Sequence, residues 1–348
     1  MSDQLIIEHL VKRYTATGPA AVHDVSLKVA PGEIVALLGP SGCGKTTTLR
    51  CVAGFEQPTA GRIVFEERLL ADGKRHVPPE KRHIGFVFQD YALFPHLDVA
   101  DNVAFGIPSR RQRRAQAHEL LERFELSALA RRKPHELSGG QQQRVAVARA
   151  LAAAPRLVLL DEPFSNLDAQ LRQTARQQVR ELLTSRGTAA ILVTHDQEEA
   201  CGFADRIAVM SEGVIVQEGS PRDVYRVPQC RFVANFLGNA NLMRVQADGR
   251  TGQSVLGKLP LDRPATGERL VSLRPESLRI SGNPTDGVAG RVISREFLGA
   301  VTRYHIRVAE QELLVVSPET AADRFDPSVG TEVYVTTTST AVVLNESP

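Results

Sequence analysis

Short apolar runs bounded by turn residues open this chain and recur in its middle. Each run has the length of a buried strand, and polar, helix-spaced stretches follow several of them. Strands that alternate with helices predict an α/β core built on a parallel sheet. The predicted strands are residues 5–9, 22–29, 34–38, 157–160 and 190–193, and one helix is predicted at residues 45–53.

Two further regions carry different patterns. Residues 90–154 are charged, rich in Ala, Leu and Arg, and helically spaced at 114–124 and 141–153, which predicts an inserted helical subdomain. Beyond residue 237, short β-rich runs separated by Gly, Pro, Asp and Asn predict a small barrel. We therefore predict a larger domain at residues 1–237 and an all-β domain at 238–348. The β-rich runs are 270–273, 290–294, 302–308, 312–316, 332–337 and 341–344.

Charge and cysteine content narrow the function classes. The chain holds 42 Lys and Arg against 40 Asp and Glu, a balance that argues against nucleic acid or anionic lipid as the main partner. The basic run Arg110-Arg111-Gln112-Arg113-Arg114 is interpreted as a solvated helix face. The four cysteines lack the close Cys-x-x-Cys pairing of metal or redox sites, so we expect reduced cytosolic thiols.

The sequence contains no apolar run of membrane-spanning length. A membrane helix needs roughly 20 apolar residues, and the N-terminal residues lack the basic and then apolar pattern of a signal peptide. If the protein works at a membrane, we expect another chain to span it.

The segment Gly39-Pro40-Ser41-Gly42-Cys43-Gly44-Lys45-Thr46 follows a predicted strand and opens a predicted helix. The glycines let backbone N–H groups converge on the β- and γ-phosphates at a helix N-terminus, where the dipole favours anions. Lys45 adds a point charge, and the Thr46 hydroxyl is placed to ligate Mg²⁺. The segment, with the adjacent Thr47, therefore predicts a triphosphate site. Cys43 is interpreted as a bystander in it.

Asp161 and Glu162 follow the apolar strand predicted at 157–160. A carboxylate at the end of such a strand lies at the sheet edge beside the phosphate loop, where Mg²⁺ is expected. Asp-Glu pairs more commonly begin helices or lie in exposed turns. Here the preceding apolar run and the downstream Ser165-Asn166-Leu167-Asp168 argue against that alternative, so Asp161 is predicted at a magnesium site.

The pentapeptide Leu137-Ser138-Gly139-Gly140-Gln141 lies between these two motifs and precedes a long predicted helix. The three motifs in this order resemble the ATP-binding cassette (ABC) ATPases, from about residue 5 to about residue 237. The resemblance implies a P-loop NTPase (RecA-like) core with an antiparallel β subdomain and an inserted α-helical subdomain, hydrolysing ATP with Mg²⁺. The later motif Ser272-Leu273-Arg274-Pro275-Glu276 is similar to the oligonucleotide-fold-like (TOBE) regulatory domain of importer ATPases.

The resemblance also implies individual roles. Glu162 matches the catalytic carboxylate that polarises the attacking water, and His195 matches the switch histidine near the γ-phosphate. Gln89 matches the Q-loop glutamine that senses Mg²⁺ and water. Tyr14 matches the aromatic on which adenine stacks, and Asp168 the end of the D-loop that contacts the opposing subunit. Taken alone, a lone histidine is ordinarily structural, Tyr14 is half-buried packing, and Asp168 is a helix cap.

The pentapeptide at residues 137–141, called the signature below, provides a second predicted helix N-terminus, which bears on the expected oligomeric state. The resemblance implies that residues 137–141 close over ATP held by a partner, hence a homodimer, or a heterodimer with a like subunit. Membrane-spanning permease subunits, and indirectly a solute-binding protein, are the further expected partners, at the cytoplasmic face of the cell membrane; nucleic acid is not expected. The apolar stretch at 90–97 predicts a docking surface for the permease, with internal packing of the helical subdomain as the alternative.

Three function classes fit a cassette ATPase: a membrane importer subunit, a soluble cassette of translation or DNA maintenance, and a regulatory module that uses ATP as a switch. A single cassette with a C-terminal β-domain favours the importer. By resemblance ferric iron is the leading cargo, with polyamine, sulfate and sugar as neighbouring possibilities. Phe297 and Tyr304 are expected to pack inside the barrel, which is given a regulatory or dimer-stabilising role.

Overall fold

The computed structural model describes residues 3–107, 113–165, 167–319 and 325–345. The chain divides into two compact units, Met1–Pro221 and Arg222–Pro348. Residues 110–112 of the basic run and Asn166 of the predicted motif lie outside the described residues. Arg113 begins a helix, and its guanidinium donates to Ile107 O at 3.0 Å.

A single sheet of ten described strands organises the first unit. Its strand order is β5-β4-β1-β2-β10-β9-β3-β8-β7-β6. The strands are β1 (Leu5–Arg13), β2 (Ala20–Val29), β3 (Ile34–Leu38), β4 (Ala60–Phe65), β5 (Arg68–Ala71), β6 (Gly85–Val87), β7 (Leu157–Asp161), β8 (Ala189–Thr194), β9 (Arg206–Ser211) and β10 (Val214–Gly219).

The half of this sheet that contains β3 is parallel, as the sequence predicts. β3 pairs in parallel with β8 and β9, and β7 pairs in parallel with β6 and β8. Every residue of β3, β7 and β8 is buried, which is why these strands appear in the sequence as unbroken apolar runs. The other half, β1, β2, β4 and β5, is antiparallel and forms the predicted antiparallel subdomain.

The helices between residues 45 and 203 belong to the first unit, and those between residues 99 and 152 form the predicted helical subdomain. α1 matches its predicted bounds, and α3 and α4 match theirs to within two residues. The helices are α1 (Lys45–Ala53), α2 (Val99–Ala104), α3 (Arg113–Arg123), α4 (Gly139–Ala152), α5 (Ala169–Arg186), α6 (Gln197–Phe203), α7 (Pro221–Arg226) and α8 (Arg231–Phe236).

Antiparallel strands dominate the second unit, where they form two sheets around one apolar core. The three-stranded sheet has the order β11-β12-β18 and the five-stranded sheet the order β13-β17-β14-β15-β16. The strands are β11 (Asn241–Ser254), β12 (Gly257–Leu273), β13 (Leu278–Ser281), β14 (Val288–Phe297), β15 (Val301–Val308), β16 (Gln311–Pro318), β17 (Glu332–Thr337) and β18 (Val342–Val343). This arrangement confirms the predicted barrel-like β-domain.

The long hairpin of β11 and β12 and the helices α7 and α8 were not predicted. The outer half of the hairpin is rich in Gly and polar residues, and its strands are defined by cross-strand pairing such as Thr251 with Pro260. α7 and α8 depend on Arg274, whose guanidinium lies 4.1 Å from the Tyr225 ring centroid and donates to Tyr225 O and to Ala234 O. Arg274, which belongs to the motif at residues 272–276, therefore has a structural role in the second unit.

One expectation about the barrel aromatics is correct and the other is wrong. Tyr304 is fully buried, and its hydroxyl donates to Asp326 Oδ1 at 2.7 Å. Phe297 is 63 % exposed, because it lies at the tip of the β14–β15 hairpin, beyond the residues that face the core. The sequence does not distinguish a hairpin tip from an inward-facing strand position.

In the first unit, the side chain of Arg82 lies at the C-terminal end of α1, and the residue is 1 % exposed. Its guanidinium donates to Val77 O, Cys51 O and Val52 O at 2.7, 2.8 and 2.8 Å. Burial lowers the pKa of Arg82 to about 10, so the side chain remains charged at neutral pH. Two of these bonds go to carbonyls in the last turn of α1, where Cys51 O also accepts from Gly54 N.

We expect Arg82→Leu to destabilise the first unit by about 3 kcal/mol, because it leaves buried carbonyls unsatisfied. Urea unfolding followed by far-ultraviolet circular dichroism measures this. The matched control is Arg68→Leu, which removes one exposed bond to Lys81 O and is expected to cost about 0.5 kcal/mol or less. Equal losses in the two variants would contradict the proposed role of Arg82.

Candidate nucleotide site

The loop between β3 and α1 has the backbone that a phosphate loop requires. A Cβ added at Gly39 would lie 2.3 Å from Met210 O, and one added at Gly44 would lie 2.4 Å from Ala21 O. Gly44 has φ 105° and precedes α1 without a side-chain cap. α1 therefore begins as an uncapped helix N-terminus, which is suited to an anion, and Pro40, Ser41 and Gly42 are exposed above it.

Lys45 lies inside this loop and is 5 % exposed. Its ammonium donates to Gly39 O at 2.7 Å and to Pro40 O at 2.9 Å, which holds the charge at the centre of the loop. Cys43 Sγ lies 3.8 Å from Lys45 Nζ. Burial raises the pKa of the Cys43 thiol, and a protonated thiol is a poor nucleophile, which supports its interpretation as a bystander.

Thr46 and Asp161, both predicted at a magnesium site, meet in the structure. The Thr46 hydroxyl donates to Asp161 Oδ1 at 3.0 Å, although the two residues are 115 positions apart. Burial raises the pKa of Asp161, and the hydrogen bond from Thr46 opposes that rise. A hydroxyl beside a buried carboxylate is the oxygen chemistry that Mg²⁺ prefers, so this pair fits the predicted ion.

No group of three or more His, Cys, Asp or Glu side chains within the described ranges could hold a metal ion. A magnesium ion at Thr46 and Asp161 would therefore take its remaining ligands from water and phosphate oxygens, which is the usual manner of Mg²⁺ in phosphate-binding enzymes.

Glu162 and His195 are a second pair of predicted site residues that lie close together in the structure. His195 Nδ1 lies 3.2 Å from Glu162 Oε1, with the histidine side chain 56 % exposed and the glutamate side chain 19 % exposed. Glu162 has φ 45°, a conformation unusual for a residue with a side chain, and its N–H donates to Val193 O at 2.9 Å. Such strained backbone is concentrated at functional sites.

Tyr14 and Thr47 lie at the outer rim of the phosphate loop. Tyr14 is 57 % exposed, its hydroxyl is 3.3 Å from Thr47 Oγ1, and Lys12 Nζ lies 5.0 Å from its ring centroid. An exposed aromatic face beside the start of α1 can stack on a planar base. The structure therefore places Tyr14 next to the phosphate loop, although Tyr14 and Thr47 are 33 positions apart in sequence.

Gln89 is exposed and follows β6, the neighbour of β7. In the register of β6 with β7, Val87 pairs with Leu160. Gln89 lies two residues after Val87, and Glu162 lies two residues after Leu160. Gln89 and Glu162 therefore follow neighbouring parallel strands at the same edge of the sheet.

The signature lies at the N-terminus of α4. The Ser138 hydroxyl accepts from Gln141 N, and the Gln141 side chain accepts from Ser138 N at 3.0 Å, which makes a capping box. Leu137 is buried, whereas Ser138 and Gly139 are exposed. A Cβ added at Gly140 would lie 3.4 Å from Leu167 Cδ2, so this helix end borders the turn before α5.

Asp168 caps α5, since its Oδ1 accepts from Leu171 N at 3.0 Å. The helix-cap alternative is thereby observed, and a cap does not exclude contact with a second subunit. The contact role stays a prediction.

Several residues at this edge were missed by the sequence analysis. Thr194 and Glu199 are buried and hydrogen-bonded to each other, and Arg172 donates to Asp196 Oδ2 at 3.3 Å and to Leu167 O at 2.9 Å. Arg149 on α4 donates to Tyr91 O and Ala92 O in the loop after Gln89. The one sequence pattern that could have indicated Glu199 is its spacing of three residues from the helix cap Asp196.

Comparison with known proteins places these features in a family. The ABC transporter family model matches residues 22–165, and the TOBE domain model matches residues 271–344. The Fe(3+) ions import ATP-binding protein of Pseudomonas fluorescens is 46 % identical over 95 % of this chain and 96 % of its own length. The spermidine/putrescine import ATP-binding protein of Frankia alni is 45 % identical over 85 % of this chain and 69 % of its own length.

Solved structures agree with the sequence comparison. A bacterial ABC transporter cassette, solved as a dimer, is 33 % identical, has a TM-score of 0.56 and matches 63 % of this chain and 99 % of that chain. A dimeric post-hydrolysis state of the ATP-binding cassette bound to ADP and Pi matches with the same identity, TM-score and coverage.

Because of Glu199, the stability of the folded protein should depend on pH. Burial raises its pKa from 4.5 to about 7, and the hydrogen bond from Thr194 lowers it by less. Between these two pKa values the unfolded chain loses the proton while the folded chain keeps it, so stability falls as the pH rises from 4.5 to about 7.

We expect the unfolding free energy of the parent protein to fall by up to about 3 kcal/mol relative to Glu199→Gln over that pH range. Chemical denaturation of both proteins at pH 5 and pH 8 measures the difference. The exposed neighbour provides the control, since Glu198→Gln should track the parent at both pH values. A pH-independent difference between Glu199→Gln and the parent would contradict the burial effect.

Proposed function

This chain belongs to the ABC transporter family, and on that premise we propose that it is the ATP-hydrolysing subunit of a membrane importer for ferric iron. The observation that carries the ATPase assignment is the meeting of Thr46 with Asp161, and of Glu162 with His195, at the edge of the sheet that carries the phosphate loop. A plain nucleotide-binding switch would need only the first pair.

The loop and α1 bind the triphosphate. Backbone N–H groups at the start of α1 and the Lys45 ammonium supply positive potential to the β- and γ-phosphates. Thr46 and Asp161 are the residues that would hold Mg²⁺, which supplies charge neutralisation to the phosphate oxygens. Tyr14 stacks on the adenine from the rim of the same loop, a contact worth roughly 1–3 kcal/mol in comparable base stacking.

Glu162 is the group that orients and polarises the attacking water. Its carboxylate is mostly buried and close to Asp161, and the constrained backbone at φ 45° directs it towards His195. His195 is more exposed and can reach the γ-phosphate while it contacts Glu162. Gln89 lies at the same edge and completes the set that surrounds the water.

We propose that the active form is a dimer. The signature residues Ser138, Gly139 and Gly140 form a second helix N-terminus at α4, and Gly140 borders Leu167 and Leu171, on either side of Asp168. A helix end of this kind is suited to phosphate, and a related cassette at 33 % identity is dimeric in two solved structures. Each signature would then close over the ATP of the other subunit.

The loop after Gln89 is the proposed contact with the permease. Asn102 fixes its fold by accepting from Phe94 N at 2.9 Å and donating to Phe94 O and Leu97 O. The ring centroids of Phe94 and Phe105 lie 4.4 Å apart, and Phe105 is 60 % exposed. Tyr91 is buried and Phe94 is half-buried, so part of the stretch packs internally. Phe105, beyond the end of the stretch, adds an exposed aromatic ring of the kind that marks interaction sites.

Arg149 joins this loop to the signature helix. Its two terminal nitrogens donate to Tyr91 O at 2.9 Å and Ala92 O at 2.7 Å, and both of these residues have positive φ. Movement of α4 would therefore be transmitted to the proposed permease contact.

The cellular setting follows from the same proposal. No helix in the described parts of the chain has the length and apolar character that crossing a bilayer requires. We place the protein at the cytoplasmic face of the cell membrane as a peripheral subunit bound to permease subunits, which receive cargo from a solute-binding protein. The β-domain is assigned a regulatory role.

Iron is the proposed cargo because ferric-iron import proteins from several bacteria match this chain at 42–46 % identity. Polyamine is the second candidate, since spermidine/putrescine import proteins match at 45 % identity.

Glu162→Gln should retain ATP affinity and trap the closed dimer, because an amide cannot act as the base. We expect turnover at least about 10²-fold below the parent, measured by phosphate release, with ATP-dependent dimer accumulation measured by light scattering. The exposed-site control Glu198→Gln should turn over normally. Parent-like turnover by Glu162→Gln would remove Glu162 from its assigned role.

Lys45→Ala should lose nucleotide affinity, since it removes the buried charge at the centre of the phosphate loop. Equilibrium binding of a fluorescent ATP analogue measures the loss, with the exposed Lys74→Ala as control. Normal binding by Lys45→Ala would contradict the assigned triphosphate site.

Cargo is tested by uptake of labelled ferric iron, spermidine and sulfate in cells that carry the parent chain or Glu162→Gln. Selective loss of iron uptake in the variant is the expected result. Loss of spermidine uptake alone would retain the importer assignment and replace iron with polyamine, whereas no change in any solute would overturn the importer assignment.

A further inference from the structure

The turn that carries His195 is closed by a ring of three hydrogen bonds. The Thr194 hydroxyl donates to Glu199 Oε2 at 2.5 Å, Asp196 N donates to Thr194 Oγ1 at 3.0 Å, and Glu199 N donates to Asp196 Oδ1 at 3.0 Å. Thr194 and Asp196 are the two neighbours of His195. The ring therefore constrains the backbone of His195 on both sides while leaving its side chain exposed.

The carboxyl of Glu199 belongs to a buried residue. Glu199 is 4 % exposed and Thr194 is 1 % exposed. α6 packs against β3, whose five residues are all buried and apolar, and against β8. The charged groups that act on Glu199 are Asp196 on its own turn and Arg172 and Arg176 on α5.

Helix capping does not account for this carboxyl. Asp196 already caps α6 through its own side chain, and Glu199 contributes only its backbone N–H to that cap. Glu199 Oε1 is buried and has no hydrogen-bond partner. Burying a carboxyl with one unsatisfied oxygen costs free energy that an apolar side chain would avoid, so the bond to Thr194 needs a reason beyond folding.

We propose that Glu199 is a positioning residue for ATP hydrolysis: through the Thr194 hydroxyl, its carboxyl fixes the turn that holds His195 against Glu162. This inference rests on the proposed catalytic roles of Glu162 and His195. It adds a buried support that contacts neither nucleotide nor water and acts only through the histidine turn.

Arg172 extends the support towards the dimer side. It donates to Asp196 in the ring and to Leu167 O in the turn before α5. The position of His195 is thereby tied to the segment that ends at Asp168, the proposed contact with the second subunit.

Steady-state ATP hydrolysis by the purified full chain tests the proposal. Glu199→Leu removes the acceptor at similar volume, and we expect kcat to fall about 10- to 100-fold, as misplacement of a catalytic group does, with KM for ATP unchanged within about twofold. Glu199→Gln keeps a carbonyl acceptor for Thr194 and should restore at least about half of the parent kcat. Glu198→Leu, the same change at the exposed neighbour, is the matched control and should behave as the parent.

Thr194→Val is the second variant, because it removes the hydroxyl with little change in shape and is less prone to misfold. It should lower kcat as Glu199→Leu does. Circular dichroism and fluorescent-nucleotide binding confirm that each variant is folded. Parent-like kcat in both Glu199→Leu and Thr194→Val, while His195→Ala is impaired, would overturn the positioning role and leave the proposed function intact.

A double-mutant cycle with His195→Ala separates positioning from general destabilisation. If Glu199 acts through His195, the His195→Ala/Glu199→Leu double variant should lose no more activity than His195→Ala alone. A loss that multiplies in the double variant would overturn the proposal. Parent-like turnover by His195→Ala would instead remove the assigned role of His195 and, with it, the basis of this inference.

Discussion

Parallel backbone pairing of β3, β8 and β7 is the constraint on which the rest of the structure depends. Leu38 pairs with Thr194, and Asp161 pairs with Val193, so the three strands end together. The phosphate loop leaves β3, the carboxylates leave β7 and the histidine turn leaves β8 at this common edge. Because every residue of these strands is buried, a shift of register would cost apolar packing along their whole length.

Buried polar groups act as supports around this edge. Thr46 contacts Asp161, Thr194 contacts Glu199, and Lys45 is held by carbonyls of its own loop. Each bond joins a residue with a proposed catalytic or binding role, or its neighbour in sequence, to a strand, helix or loop of the site. Hydrogen bonds in such low-dielectric surroundings are strong, and leaving one partner unmade is expensive. The site is therefore held by a few bonds of high consequence, and α5 connects them to the proposed subunit interface through Arg172.

The two units of the chain differ in the contacts that stabilise them. The first unit is stabilised by strands that are buried along their whole length and by Arg82, which donates to carbonyls at the C-terminal end of α1. The second uses alternating strands around a shared core, with Arg274 binding the carbonyls of two short helices. The exposed Phe297 shows that this unit places a large apolar side chain at a hairpin tip, where the repeating pattern of its strands ends.

The sequence by itself determined the parallel core, the helix at 45–53 and the identity of the nucleotide motifs, because apolar runs, glycine spacing and helix starts are local properties. The resemblance to the ABC ATPases indicated Glu162, His195 and Gln89, each of which follows a strand. Only the tertiary structure decided that Glu162 faces His195, and that Arg149 on α4 holds the loop after Gln89. The physical reason is that those contacts depend on strand register and on side chains brought together across the fold, and no local pattern encodes either.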